Sequence, residues 1–526
     1  MTDTFTAWSA TTHPIVKLED DWNNLLAHGL WKGAGYNIRL NGSYTEALNM
    51  QTGKLTYGGS GNIGGIDGAD SAAVINAALA ALASSGGTVY LGRQSFTISQ
   101  KIVMPNSLDV GQDFVVSLIG QNAILHGAAT LATNMLELDA DAASVNYSFF
   151  VEGIHFYPAA CNVTLYNIYV KDALNTHIKD CVIGWNGLKI EDAGIVWLDD
   201  LYCVDSYNEG ILIDNTSYVQ ANNIYIDNCG GYGGGSYQAL SLLNASNKQQ
   251  WNNLYLYGQK GAFGGQASGI YIGSCENVNF NNVQIEGFKD SGLQIALAKN
   301  VVFNNLVIRD SDDQCIEIAP TADIDNLSFN NIDLTPAAAK YGLTSYAQNT
   351  FHVHNVAISN GVIHSAATGN GIYMGGDASA GATSEYFNVN NINFETLTNG
   401  FYEAFGSNAD HNQINNSSMS NVTTPIYLIG TNSRVRNVLG YRNEHAGVAT
   451  ILNGTASIDV DPSFHGSIDF TSVEPIVMLA GQHAETCNVY WAVKDADEIT
   501  ITAKDGNTTG DRKVNYYIVM PNAMRL

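Results

Sequence analysis

The chain has 526 residues and carries 49 acidic against 23 basic side chains, a formal net charge of −26 that argues against nucleic acid as its main partner. Only 14% of residues are charged while 45% are hydrophobic and 52 are Gly, so polarity comes from Asn, Ser, Thr and Gln, a mixture that excludes disorder and collagen alike. The start lacks a basic segment followed by an apolar run, and no stretch nears ~20 uninterrupted apolar residues, so the sequence reads as soluble, without a cleaved export signal or membrane insertion.

Residues 1–62 form a section of their own, rich in aromatics (Trp8, Trp22, Trp31, Tyr36, Tyr44) and ending in a Gly-rich connector from Tyr57 to Gly65 that is flexible or tightly turning. Next comes the clearest helix, Asp70 to Ala83, with Asp70 as its N-cap and Val74, Ile75, Ala78, Leu79 and Leu82 as its apolar stripe. Gly86 and Gly87 then hand over to strands at 88–91 and 96–98, as in a cap laid over the end of a sheet structure.

From there to residue 440 short apolar alternations are broken by Asn, Gly and Asp. One module recurs, an Asn pair followed by apolar-x-apolar, starting at Asn222, Asn252, Asn281, Asn304, Asn330 and Asn390. The first five starts are 30, 29, 23 and 26 residues apart, a basic unit in the low twenties with loop insertions, which is what a parallel β-helix needs. Coils stacked about 4.8 Å apart place like positions over one another. Asn at a stacked bend can form an amide ladder and tolerates the left-handed backbone of a sharp turn.

After residue 441 the Asn pairs stop and longer strands follow, at 457–460, 475–479, 489–493, 498–502 and 514–519, which predict a small antiparallel β-sandwich. The turn from Asp505 to Asp511 lacks the full ligand series of a Ca²⁺ loop and reads as an ordinary turn. The seven Cys have no CxxC and no His at metal spacing, and read as small buried hydrophobes made in a reducing compartment. No cofactor and no metal is expected.

The segment from Asp67 to Leu79 followed by Gly86 to Leu91 resembles the opening of the pectate-lyase-like right-handed β-helix superfamily, as found in bacteriophage tailspikes. The C-terminal run, with Gly454, Tyr490, Trp491 and an aromatic last strand, is similar to the small β-domain that ends many phage tail proteins. The resemblance implies an all-β chain: an N-terminal head (1–62) for virion attachment, a right-handed single-stranded parallel β-helix (63–440), and a C-terminal β-sandwich-like domain (441–526) for trimerisation or glycan contact. It further implies a homotrimer made in the host cytoplasm and placed in the virion tail. Its head would meet a tail or baseplate protein, and its helix would bind and cleave a bacterial surface polysaccharide.

Two adjacent coils align without a gap, residues 283–295 over 306–318. This register sets Glu286 against Arg309, Lys289 against Asp312, Asp290 against Asp313 and Gln294 against Glu317. Stacked carboxylates raise one another's pKa values, and glycoside hydrolysis needs one protonated acid and one ionised partner. The string from Ser311 to Ile318 resembles the paired-Asp motif of polygalacturonase-type glycosidases, with Gln314 inserted before Cys315. Asp310, Asp313 and Glu286 are similar to the acidic trio of some endorhamnosidase tailspikes. The candidate catalytic residues are therefore Glu286, Asp310, Asp312 and Asp313, with Arg309, Lys289, Glu317 and Asp290 around the substrate. Tyr257 and Trp251, with Tyr225, Tyr255 and Tyr271 on neighbouring coils, offer ring faces for sugars or a core or trimer-seam ladder. The same carboxylates also read as a solvated bend paired with Arg309 and Lys289. Two further readings of the whole chain stay open: a non-catalytic virion receptor-binding or structural protein, and a cellular glycan lyase or fructan-processing enzyme.

Overall fold

The computed structural model describes residues 35–519 apart from 106–113, 140–146, 159–164, 230–236, 245, 259–267, 348–349, 367, 377–380, 405–407, 429–431, 440–443, 452–456, 461–475, 482–488, 494–498 and 504–511. Most of the aromatic head, the 505–511 turn, Cys161 and Cys487 therefore lie outside the described residues. The chain forms two compact units, Met1–Ala160 with Ile168–Val182, and Cys161–Asn167 with Ile183–Leu526.

In the first unit, Gly35–Asn41 and Tyr44–Asn49 pair antiparallel, and Leu55–Gly58 extends the ribbon. Gly35–Asn41 also pairs in parallel with Gly87–Leu91, so this ribbon is hydrogen-bonded to a parallel strand of the same unit. The connector is tight: Gly58 takes φ 79°, and a Cβ there would sit 2.3 Å from the carbonyl oxygen of Thr45. The helix spans Ser71–Ala80. The Asp70 carboxylate accepts from the backbone N–H groups of Ala72 and Ala73, and Val74, Ile75, Ala78 and Leu79 are buried.

The second unit is a stack of parallel coils. Long strands Tyr218–Asp227, Ser246–Tyr257, Cys275–Glu286, Ala298–Arg309, Ile324–Thr335 and His352–His364 pair in register, coil on coil. Between them Leu240–Leu243, Ile270–Ile272, Leu293–Ile295, Ile316–Ile318 and Tyr341–Ala347 form a second parallel ladder. The Asn pairs make the corners. The second Asn of each pair, Asn223, Asn253, Asn282, Asn305, Asn331 and Asn391, sits at φ 54° to 58°, bending the strand. Both members also form amide ladders: Asn304 donates to Asn281 at 2.9 Å and Asn305 to Asn282 at 2.8 Å, and the same pattern runs back through Asn252 and Asn253 to Asp199 and Asp200.

Inward positions stack as well. Phe280 and Phe303 lie face to face at 4.4 Å, Phe303 and Phe329 at 5.5 Å, and Trp251 stacks on Phe280 at 6.3 Å. Trp251 is wholly buried, with its Nε1–H donating to the side chain of Gln249, which corrects its expected sugar-facing role. The left-handed corner at Asn253 resets the alternation of its strand, so that Trp251 faces inward and Tyr255 and Tyr257 outward. Cys181, Cys203, Cys229, Cys275 and Cys315 are buried free thiols.

Toward the C-terminus the strands are antiparallel. Glu444–Ile451, Arg512–Val519 and Ile476–Gly481 form one sheet, and Ser457–Val460, Ile499–Ala503 and Val489–Val493 another. Ala449, Ile451, Val514 and Ile518 of the first pack with Ile499 and Ile501 of the second in one apolar core.

Candidate active site

The coil register that the sequence alignment gave is the one in the fold: Glu286 lies beside Arg309, and Gln294 beside Glu317. The bends between these strands, 287–292 and 310–315, are tight. At Gly292 a Cβ would meet Ile308 at 2.3 Å and the carbonyl of Cys315 at 2.9 Å, so Gly lets the next coil pack this closely. The predicted cluster thereby divides into two groups on adjacent outward faces.

The first group surrounds Glu317, on the short strand Ile316–Ile318. Ser291 Oγ and Gln294 Nε2 both donate to Glu317 Oε2 at 3.1 Å. Burial is the main reason its carboxyl pKa rises above the ordinary glutamate value. The negative charges of Asp290 and Asp313 add to the rise, against the two hydrogen bonds that favour the ionised form. Asp313 meets the ammonium of Lys340 at 2.5 Å and the amide of Gln314 at 3.0 Å, and the same Gln314 accepts from the backbone N–H of Tyr341. Asp290 accepts from Ser268 at 3.3 Å. One carboxyl that favours its proton thus sits in the field of another whose charge is matched by a cation, the division of labour that acid-assisted hydrolysis uses.

Along the coil axis the outward neighbours of Glu317 are Gln294 and then Tyr271 on one side, and Thr344, Tyr373, Tyr402 and Tyr427 on the other. Tyr373 and Tyr402 stack at 5.8 Å, Tyr402 and Tyr427 at 4.7 Å. The half-buried rings form an aromatic track leading away from the acid.

The second group is the outward face of the long strands, where Asp227, Tyr257, Glu286, Arg309 and Thr335 follow one another coil by coil. Arg309 does not pair with the acids of its own bend. It binds Asp333 at 2.5 Å, and His364 Nε2 lies 3.2 Å from the other oxygen of Asp333. Lys289, Asp310 and Asp312 are exposed at the bends. Asp310 takes φ 55° at the bend position that Gly287, φ 78°, fills one coil earlier, and Asp312 donates its backbone N–H to the carbonyl of Phe288. A backbone role therefore accounts for the position of Asp310, and of the four predicted acids only Asp313 adjoins Glu317 in the coupled group.

Sequence reasoning missed Lys340, Asp333, His364 and the Tyr373 track. Asp290 and Asp313 are 23 residues apart but Asp313 and Lys340 are 27, and the insertion around Ala337 to Ala339 hides the register. Extending the alignment by matching Ile316 with Leu343 would have exposed Lys340. Among the described residues, no group of three or more His, Cys, Asp or Glu is placed to hold a metal, and no helix is long and apolar enough to cross a membrane.

Several solved structures are distantly similar to this chain. The tailspike gp49 of Pseudomonas phage LKA1 is 10% identical over 85% of this chain and 93% of its own, with a TM-score of 0.47. The tailspike gp61 of Pseudomonas phage phi297 is 10% identical over 85% and 92%, with a TM-score of 0.45. The A-module of the mannuronan C-5 epimerase AlgE6 of Azotobacter vinelandii is 16% identical over 70% and 95%, with a TM-score of 0.34. Likeness at this level leaves the chemistry to the side chains. No curated protein matches the sequence. Residues 161–358 match the family model described as a right handed beta helix region, and the described residues of that span form parallel β-helical coils.

Proposed function

We propose that this protein is a phage tailspike that binds a bacterial surface polysaccharide and hydrolyses it, with Glu317 as general acid and Asp313 as its ionised partner. The observation that carries the reading is the coupled trio of Glu317, Asp313 and Asp290, in which burial favours the proton on Glu317 while Lys340 matches the charge of Asp313. The tyrosines in line with Glu317 supply ring faces for the sugars on either side of the scissile bond. Homotrimer assembly and attachment through the N-terminal section belong to the same proposal and rest on the sequence resemblance.

The test is to incubate the purified chain with capsular, exopolysaccharide and O-chain preparations and follow reducing ends and viscosity. Wild type is expected to release oligosaccharides without ultraviolet-absorbing unsaturated ends, while Asp313→Asn and Glu317→Gln bind the polymer but do not cut it. Unsaturated ends would make the enzyme a lyase, and full activity in Asp313→Asn would remove that residue from the mechanism. A binding-only protein is the second reading, favoured by the Lys340–Asp313 ion pair, which already gives Asp313 a structural partner.

A further inference from the structure

We infer that the exposed aromatic strip formed by Trp185, Tyr202, Tyr225, Tyr255 and Tyr257 is a second glycan-binding track, which holds a neutral polysaccharide along the coil axis beside the Glu317 site. The inference rests on the reading of the protein as a glycan binder and is independent of hydrolysis.

Tyr202, Tyr225 and Tyr255 face one another in register on three successive coils, and Tyr257 occupies the next outward position of the third. Trp185 lies at the bend one coil earlier, its backbone N–H bonded to the carbonyl of Val204. These side chains are exposed, from 37% at Tyr202 to 46% at Tyr255. The fold does not call for aromatics there: the same outward column continues as Gln284, Val307 and Asp333. A run of large exposed rings on consecutive coils marks a recognition surface.

Three further features select the occupant. Tyr202 and Tyr225 lie 5.0 Å apart, close to the coil rise of about 4.8 Å, so the strip presents one ring per coil, a spacing comparable to the advance per residue of an extended sugar chain. Tyr202 Oη donates to Asp227 Oδ2 at 3.3 Å, which fixes the ring on the strip. The rim is acidic, with Asp205, Asp227 and Glu286 against the exposed Lys289 of the adjoining bend, and Arg309, the cation that continues this column, is held by Asp333. A uronate polymer would be repelled. A second copy of this chain, at net charge −26, is also a poor partner for that rim.

The experiment is affinity electrophoresis of the full chain in gels containing dextran, levan, yeast mannan or alginate, comparing wild type, Glu317→Gln and the double variant Tyr225→Ala/Tyr255→Ala. Thermal melting serves to check the fold, and sedimentation the oligomeric state. At least one neutral polymer should retard wild type and Glu317→Gln alike, alginate should not, and the double variant should lose tenfold or more in affinity with its melting and sedimentation unchanged. The inference is overturned if no neutral polymer is bound, if alginate is preferred, or if the double variant binds as wild type does. A fall in oligomeric size in the double variant would assign the strip to a seam between copies instead. Neutral-polymer binding lost in the double variant, together with an absence of reducing ends from any substrate, would reject the hydrolysis and keep this track.

Discussion

Glu317 and Asp333 both project outward from strands of neighbouring coils, yet their surroundings differ. Glu317 is half-buried, with two other carboxylates in its field and, among the described residues, the neutral donors Ser291 and Gln294 touching it. Asp333 meets a guanidinium and an imidazole at the edge of solvent. The number of acids on a face therefore says little about its chemistry. Burial and the identity of the touching donor decide which carboxyl can keep a proton to give away.

The largest expected difference between the faces is in rate. Glu317→Gln should lower polysaccharide hydrolysis by about 10²–10⁴-fold, the usual contribution of a positioned general acid, while Asp333→Asn stays near wild type. Reducing-end assays on both variants decide it, and equal losses would erase the distinction. Glu317 also predicts the sign of a pH effect. Its folded pKa lies above the unfolded one, so between the two values the native chain binds more protons than the unfolded chain. Stability then falls as pH climbs from the ordinary glutamate value through the raised one, and activity falls over the same upper limb. Glu317→Gln should remove that slope from denaturant melts taken across the window, and an unchanged slope would show that other groups cause it.

The next effect should strike both faces together. Phe303 is fully buried between Phe280 and Phe329, at the level of the coils that carry Glu286, Arg309 and Glu317. Phe303→Ala should cost about 3–5 kcal/mol, because the stacked rings above and below cannot close the cavity. Urea melts measure it. A loss under ~1 kcal/mol would mean that the column relaxes freely.

The coil repeat was legible in the sequence because each Asn pair does two visible jobs, one backbone and one side-chain. Asn305 takes φ 56° and donates to Asn282, and few residue types satisfy both demands at once. Asn305→Ala should therefore lose about 1 kcal/mol, from left-handed strain alone, before the broken ladder is added. Thermal melting against Asn304→Ala, its pair member, separates the two contributions. The register of Glu286 with Arg309 and of Gln294 with Glu317 was legible for the same reason, since no insertion separates those coils. What was not legible depended on side-chain direction or on coils of unequal length. Trp251 looked like a sugar platform because composition cannot tell inward from outward within a strand whose Asn corner resets the alternation. Lys340 and Asp333 were invisible because their coils follow an insertion, so pairing Arg309 with the nearest acids in sequence named the wrong partner.

The smallest expected effect tests the solvent-side half of the comparison. The side chain of Arg309 is 51% exposed, so water and counterions screen its contact with Asp333 even at 2.5 Å. Arg309→Met keeps the apolar stem along the strand and removes only the charge, and His364 remains beside Asp333. The expected loss is below about 1 kcal/mol at low ionic strength. It should vanish near 1 M salt, where the screening length falls to about 3 Å. Denaturant melts at the two salt concentrations measure it. If the loss is instead several kcal/mol and indifferent to salt, the pair is effectively buried, Asp333 is held as firmly as Glu317 is enclosed, and the two faces differ in donor identity alone.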